Sequence, residues 1–227
     1  DVSYATLTSI DESPLRFGLI YAGTDDGNIH VSKDAGYSWT KTSSTLPKDL
    51  WVSRLAASSH DEATVYASLN GYRFDDFSSY LYISKNYGTT WQKIGLDLPS
   101  EPINVVKEDP KNSNIIYVGT DNGVYVSLNK GMSFMKFGYD LPSVAVHDLV
   151  IHPKENDIVL GTHGRSIWIA SVKEVQQLTD TLMQKQMYVF ELKDKQYSEK
   201  WGKTESKFSD KLIEDKVVKG IFSMPRI

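Results

Sequence analysis

Apolar residues along this chain come in short runs that return with a long period. Residues 19–31 hold one run at Leu19-Ile20-Tyr21-Ala22, a polar turn through Asp25-Asp26-Gly27, and a second run at Ile29-His30-Val31. The same arrangement recurs at 65–68 continuing at 80–83, at 115–126 and at 158–169. Runs of this length bounded by Gly, Asp and Asn predict strands, not helices. Asp26-Gly27 and Asn122-Gly123 stand where a two-residue hairpin requires positive φ, so each pair of runs is predicted to be an antiparallel hairpin. A further apolar strand is predicted before each hairpin, at 52–57, 103–107 and 146–151, and another after it, near Thr40, at 92–94 and at 135–137.

Between the third and fourth predicted strands lies an octapeptide that also repeats. Ser32-Lys33-Asp34-Ala35-Gly36-Tyr37-Ser38-Trp39 returns as Ser84-Lys85-Asn86-Tyr87-Gly88-Thr89-Thr90-Trp91 and, in weaker form, as Ser127-Leu128-Asn129-Lys130-Gly131-Met132-Ser133-Phe134. The copies start 52 and then 43 residues apart. That is the period of a repeated supersecondary unit, and four short strands per period make the blade of a β-propeller. The fold class is therefore all-β, with blades over 4–41, 51–94, 102–137 and 145–172, the last lacking the octapeptide. Leu-Pro pairs at 46–47, 98–99 and 141–142 mark the blade junctions, where proline suits a connection and not a paired strand.

Beyond residue 172 the period stops. Apolar spacing over 175–183 suits a short helix, 187–192 reads as one more strand, and the Lys-, Glu-, Asp- and Ser-rich remainder of the 173–227 extension is weakly patterned. No signal-peptide pattern opens the chain at Asp1-Val2-Ser3-Tyr4-Ala5. The four blades read as the C-terminal part of a longer propeller, or as one whose remaining blades come from another segment or chain.

Composition narrows the possible chemistry. A net charge of −4 and the lack of a basic stripe give no reason to expect nucleic acid, and no apolar run reaches the length of a membrane span. With no cysteine there is neither a disulfide nor thiol catalysis. No cofactor or metal site is expected. One carboxylate per repeat is a poor metal ligand set, and His60 and His152 fall at the opposite end of the blades from His147.

The octapeptide turn has a physical reading of its own. The Asp34 side chain accepts N–H bonds from the turn that follows, Gly36 supplies a left-handed conformation, and Trp39 then takes a fixed place in the core. Asn86 replaces the acid with an amide oxygen in the second copy, and Asn129 with Phe134 makes the third degenerate.

Strands alternate in direction, so the loops between second and third strands share a face with the blade junctions, opposite the octapeptides. On that face fall Trp51, Ser53, Asn104, His147 and Asp148, at the starts of the innermost strands. The long insertion at 71–79, with Tyr72, Arg73, Phe74, Asp75, Asp76 and Phe77, lies there too, as does the 162–166 loop with His163 and Arg165. Loops longer than a minimal turn that concentrate aromatic and charged groups are where binding sites are built. The candidate ligand-binding set is Trp51, Tyr72, Arg73, Asp76, His147, Asp148, His163 and Arg165. Each has a structural alternative. His147 reads equally as a hydrogen-bonded core histidine, Arg165 as an anchor to a carboxylate such as Asp148, and Tyr72, Phe74 and Phe77 as pins holding their loop to the next blade. Asp75 and Asp76, being adjacent, point in opposite directions, so at most one serves a given site.

Ser-x-Asp-x-Gly-x-Ser/Thr-Trp resembles the Asp-box of bacterial-neuraminidase-type repeats, shared by sialidases, xyloglucanase-type glycoside hydrolases, the sortilin ectodomain and the photosystem assembly propellers. The strings at 71–77, 147–153 and 161–168 are similar, more narrowly, to large exported bacterial proteins of glycosyl-hydrolase-like or sortilin-like type. The resemblance spans roughly residues 15–200. It implies a propeller in an exported protein, and it makes the four-residue sets Ser32, Asp34, Gly36, Trp39; Ser84, Asn86, Gly88, Trp91; and Ser127, Asn129, Gly131, Phe134 structural. One fold hosts both enzymes and receptors, so two functions follow from it. The first is a non-catalytic module recognising a glycan or peptide. The alternative is a glycoside hydrolase using paired carboxylates, for which Asp76 and Asp148 are the candidates on the right face.

Overall fold

The computed structural model describes residues 5–138 and 140–190. Among the described residues fifteen strands form four separate antiparallel sheets, each made only of strands consecutive in sequence. The first blade is β1 (Leu7–Glu12), β2 (Ile20–Thr24), β3 (Ile29–Ser32) and β4 (Thr40–Lys41). The second is β5 (Trp51–Ala57), β6 (Val65–Gly71), β7 (Asp76–Ser84) and β8 (Gln92–Ile94). The third is β9 (Ile103–Glu108), β10 (Ile116–Thr120), β11 (Gly123–Ser127) and β12 (Met135–Phe137). The fourth has three strands, β13 (Val146–Ile151), β14 (Asp157–Thr162) and β15 (Ile167–Ser171). The chain is a β-propeller segment of four blades.

Burial follows from each blade's neighbours. Every residue of β6 and β10 is buried, because blades two and three are covered on both faces. In β2 and β14 buried and partly exposed residues alternate, as expected for sheets with one covered face. Three apolar clusters result, one per junction. Tyr21, Val31, Leu55 and Leu69 fill the first, Tyr66, Leu81, Ile103 and Val118 the second, and Tyr117, Val126, Leu149 and Leu160 the third. On the uncovered faces of blades one and four Ile10, Val150, Ile167 and Ile169 are exposed.

The octapeptide turns share three hydrogen bonds. The Ser32 hydroxyl donates to Asp34 Oδ1 at 2.8 Å and accepts the Gly36 N–H at 2.8 Å, while Asp34 Oδ1 accepts the Ser38 N–H at 2.9 Å. Ser84 with Asn86, Gly88 and Thr90 repeats these contacts, as does Ser127 with Asn129, Gly131 and Ser133. Two successive residues are left-handed in each turn: Ala35 and Gly36, Tyr87 and Gly88, Lys130 and Gly131.

The second and third turns also dock on the blade before them. Trp91 Nε1 donates to the Thr42 carbonyl at 3.0 Å, and a Cβ at Gly88 would meet the Thr42 side chain at 2.9 Å. The Phe134 N–H reaches Asp97 at 2.8 Å, and a Cβ at Gly131 would meet Ile94 at 2.7 Å. The expectation of a core position fails for Trp39, which is 44% exposed. Its indole N–H turns back to the Gly36 carbonyl at 3.0 Å, and no earlier blade in the structure covers it.

Three other expectations are corrected. The first hairpin turn runs through Asp25-Asp26-Gly27-Asn28 with only Gly27 at positive φ, because Thr24 N–H bonds the Asn28 carbonyl and lengthens the loop. The third-blade hairpin turns on Asp121-Asn122, with Gly123 already in β11 opposite Thr120. The expected single helix over 175–183 is two short ones, α1 (Lys173–Gln176) and α2 (Asp180–Met183). Gln176 Nε2 donates to buried Asp109 at 2.9 Å, holding α1 to the β9–β10 loop.

Residues 5–138 and 140–186 belong to one compact unit and residues 187–190 to a second. Within the second, residues 187–190 carry no regular secondary structure, so the expected strand does not form there. The Tyr188 and Phe190 rings meet edge to face at 5.1 Å. The rest of that expected strand and the tail to Ile227 lie outside the described residues.

Asp34 gives a pH signature. Its carboxyl lies below the usual range, chiefly because the Ser38 hydroxyl and then the Ser38 amide bond the ionised form. A depressed folded pKa stabilises above the unfolded value of about 3.8 and loses that contribution as pH falls through the folded value. Asp34→Asn, copying Asn86, is expected to leave the melting temperature at pH 7 unchanged and to reduce the loss on acidification. Melting curves of both proteins between pH 7 and pH 3 check this, and parallel acid losses would refute it.

Candidate functional site

Four polar residues sit at equivalent places in the innermost strands, and each is a β-bulge. Thr8, Ser53, Asn104 and His147 lack a partner in the ladder, where register shifts between Leu7 and Ser9, between Val52 and Arg54, at Gly119/Thr120, and between Val146 and Asp148. A bulge re-aims a side chain. Thr8 Oγ1 donates to the Val52 carbonyl at 2.8 Å, and Ser53 Oγ donates to the Ile103 carbonyl at 2.6 Å, each reaching the next blade. Asn104 Nδ2 donates to Asp121 Oδ1 at 2.8 Å. The exposed His147 ring meets His163 at 5.5 Å between centroids. The sequence signal for these bulges was a polar residue near the start of each apolar innermost strand.

The long second-blade loop contains a 3-10 turn (Tyr72–Phe74) followed by left-handed Asp75. Tyr72, Phe74 and Phe77 are each more than half exposed, so they do not pin the loop as one reading had it. Arg73 lies over the Trp51 ring with its Cζ 5.0 Å from the centroid, and its Nη1 is 3.8 Å from Asp25 of the first blade. Trp51, Tyr72 and Arg73 thus share one neighbourhood. The Asp76 carboxylate accepts the Tyr80 hydroxyl at 2.6 Å and the Ser78 N–H at 2.9 Å. The Tyr80 hydroxyl first, and then Ser78, hold the Asp76 carboxyl below the usual carboxylate range.

A second cluster forms at the fourth blade. The His163 N–H bonds the Ala145 carbonyl at 2.9 Å, seating the 162–166 loop on the start of β13. Asp148 pairs with Arg54, not with Arg165: Arg54 Nη2 is 2.9 Å from Asp148 Oδ1 and 3.2 Å from the His147 carbonyl. Arg54 was not singled out from sequence, since an arginine within an apolar strand reads as solvent-facing. Arg165 is exposed, its carbonyl accepts Trp168 Nε1 at 2.8 Å, and no carboxylate among the described residues pairs with it. The structure thus groups Trp51, Tyr72 and Arg73 in one place and His147, Asp148 and His163 in another.

A glycoside hydrolase needs one carboxyl kept protonated at working pH, by a raised pKa. Asp76 is shifted the other way, and Asp148 is engaged by a guanidinium. Among the described residues no group of three or more His, Cys, Asp or Glu side chains could hold a metal ion, and no helix is long and apolar enough to cross a membrane.

Similar solved structures share the propeller fold. The GH74 enzyme of Niastella koreensis matches with a TM-score of 0.59 at 18% identity over 74% of this chain and 28% of its own. The GH74 xyloglucanase from Xanthomonas campestris matches with 0.57 at 18% identity over 72% and 27%. YCF48, in a structure bound to D1 peptide, matches with 0.51 at 12% identity over 73% and 54%. The chain therefore spans about a quarter of the length of the two GH74 enzymes. No curated protein matches it in sequence. The sequence profile described as sortilin, neurotensin receptor 3 matches residues 79–219, more than half of the chain and from β7 onward through blades three and four. With the repeated turns and blades in agreement, the chain belongs to the Sortilin-Vps10 family.

Proposed function

We propose that this chain is a recognition segment of an exported protein, binding a glycan or peptide on its loop face. The observation that carries this reading is the Trp51–Arg73 stack beside exposed Tyr72 on the longest loop. A rigid aromatic surface with a guanidinium lying on it offers stacking and charge-assisted hydrogen bonds together. His147, Asp148, His163 and Arg165 extend the surface toward the fourth blade, and ionised Asp76 supplies an acceptor. Further blades, from the same or another chain, would cover the apolar outer faces around Ile10 and Ile169. Of the similar structures, one is YCF48 bound to a peptide and another is a xyloglucanase, so both ligand classes belong in the first screen.

Oligosaccharide and peptide arrays probed with the chain test the proposal. Tyr72→Ala and Arg73→Ala are each expected to weaken a hit at least about tenfold, a loss of about 1.4 kcal/mol, with melting temperature unchanged. Unchanged affinity in both variants would overturn the placement. Turnover of a hit, abolished by Asp76→Asn or Asp148→Asn with binding kept, would replace recognition by glycoside hydrolysis.

A further inference from the structure

We propose that His147 and His163 form a two-imidazole site for a divalent late-transition-metal cation of the Zn2+, Ni2+ and Cu2+ class. The two residues are 16 positions apart in sequence and come from different elements, the bulge of β13 and the loop joining β14 to β15. Their ring centroids are 5.5 Å apart with planes at 70°. With metal–nitrogen bonds of about 2 Å, two imidazoles on one tetrahedral ion have centroids about 5 Å apart. The centroid separation of the pair is therefore close to that of two imidazoles sharing one ion.

Both backbones are held. The His163 N–H is bound by the Ala145 carbonyl at 2.9 Å, and the His147 carbonyl accepts Arg54 Nη2 at 3.2 Å. The 162–166 loop is closed by Thr162 Oγ1 donating to the Ser166 carbonyl and by Trp168 Nε1 donating to the Arg165 carbonyl. Gly164 at φ +74° and Ser166 at φ +67° give it its curvature. Both imidazoles are exposed, so an ion reaches them without opening the fold. The nearest carboxylate in sequence, Asp148, is taken by Arg54. The protein thus supplies two ligands, and water or an incoming donor fills the other positions. Imidazole pairs favour the late first-row cations, with Cu2+ tightest. The inference stands on this geometry alone and does not depend on the recognition reading.

Titration calorimetry of the untagged full chain with ZnCl2, and separately with NiCl2, is expected to give one saturable equivalent. His147→Ala and His163→Ala are each expected to weaken binding more than about tenfold. The double variant should be no weaker than the worse single one, because neither imidazole alone chelates. His30→Ala and His152→Ala are expected to bind as the unaltered chain does. Ni2+ added to the unaltered protein should broaden the proton resonances of the His147 and His163 rings before any other histidine, which tests the site even if a variant misfolds. Absence of saturable binding, binding that survives both single substitutions, or first broadening at His30, His60 or His152 would each overturn the site.

Discussion

Glu108→Ala is expected to lower the unfolding free energy of the chain by about 3–5 kcal/mol. Glu108 ends β9 and is only 6% exposed. Its Oε2 accepts the Ser58 hydroxyl at 2.6 Å and the Ser59 N–H at 2.9 Å, and its Oε1 accepts the Tyr66 hydroxyl at 3.0 Å. All three donors belong to blade two, so one carboxylate from blade three closes that junction. Burial first, and then the Glu108 charge, push the Tyr66 hydroxyl pKa far up, so it stays a donor throughout the accessible pH range. Removing the acceptor orphans three donors, each costing about 1–3 kcal/mol where water does not reach. Urea unfolding of Glu108→Ala against exposed Glu155→Ala measures the difference. A loss under about 1 kcal/mol would show that water replaces the carboxylate.

Gly119→Val is expected to cost about 3 kcal/mol or more, enough to deplete folded protein, while Gly161→Ala at the equivalent place in blade four stays within about 0.5 kcal/mol. A Cβ at Gly119 would lie 2.6 Å from Val105 Cγ1 and 2.9 Å from the Val146 carbonyl oxygen. The first obstacle is a side chain, but the second is the backbone of the next innermost strand, so relief requires moving blade four. At Gly161 the nearest atom is 3.6 Å away, an ordinary contact. Yield of folded protein and urea midpoints for the two variants decide the matter. Equal tolerance would mean that the blades slide past each other more easily than this packing implies.

The repeat was legible because it rests on local chemistry. The Ser32 and Asp34 side chains and the Gly36 N–H bond within their own turn, and the strand order follows from runs that pair with their sequence neighbours. What eluded the sequence depends on contacts between blades. Trp39 and Trp91 occupy the same position in the same motif, yet one is exposed and the other is capped by Thr42, a difference set by the neighbouring blade. Asp148 had a plausible partner nearby in Arg165, but it pairs with Arg54 of blade two, 94 residues away. Glu108 was not singled out from sequence, since nothing local reveals that Ser58 and Tyr66 converge on it. Of the candidate site, the exposed aromatics and the stacked arginine were read from loop length and composition. Their grouping into two separate clusters required coordinates.

The bulge clasps of Thr8 and Ser53 each reach forward to the innermost strand of the blade that follows in the chain. A ribosome releases this polypeptide in the same order, so blades two and three each emerge beside a finished predecessor whose hydroxyl already points at the place the new blade's innermost strand must occupy. Sheets built from consecutive strands avoid the long loop closures that slow most β proteins. Synthesis and assembly can then advance together, one blade at a time, each new blade covering the apolar face that the growing end had exposed.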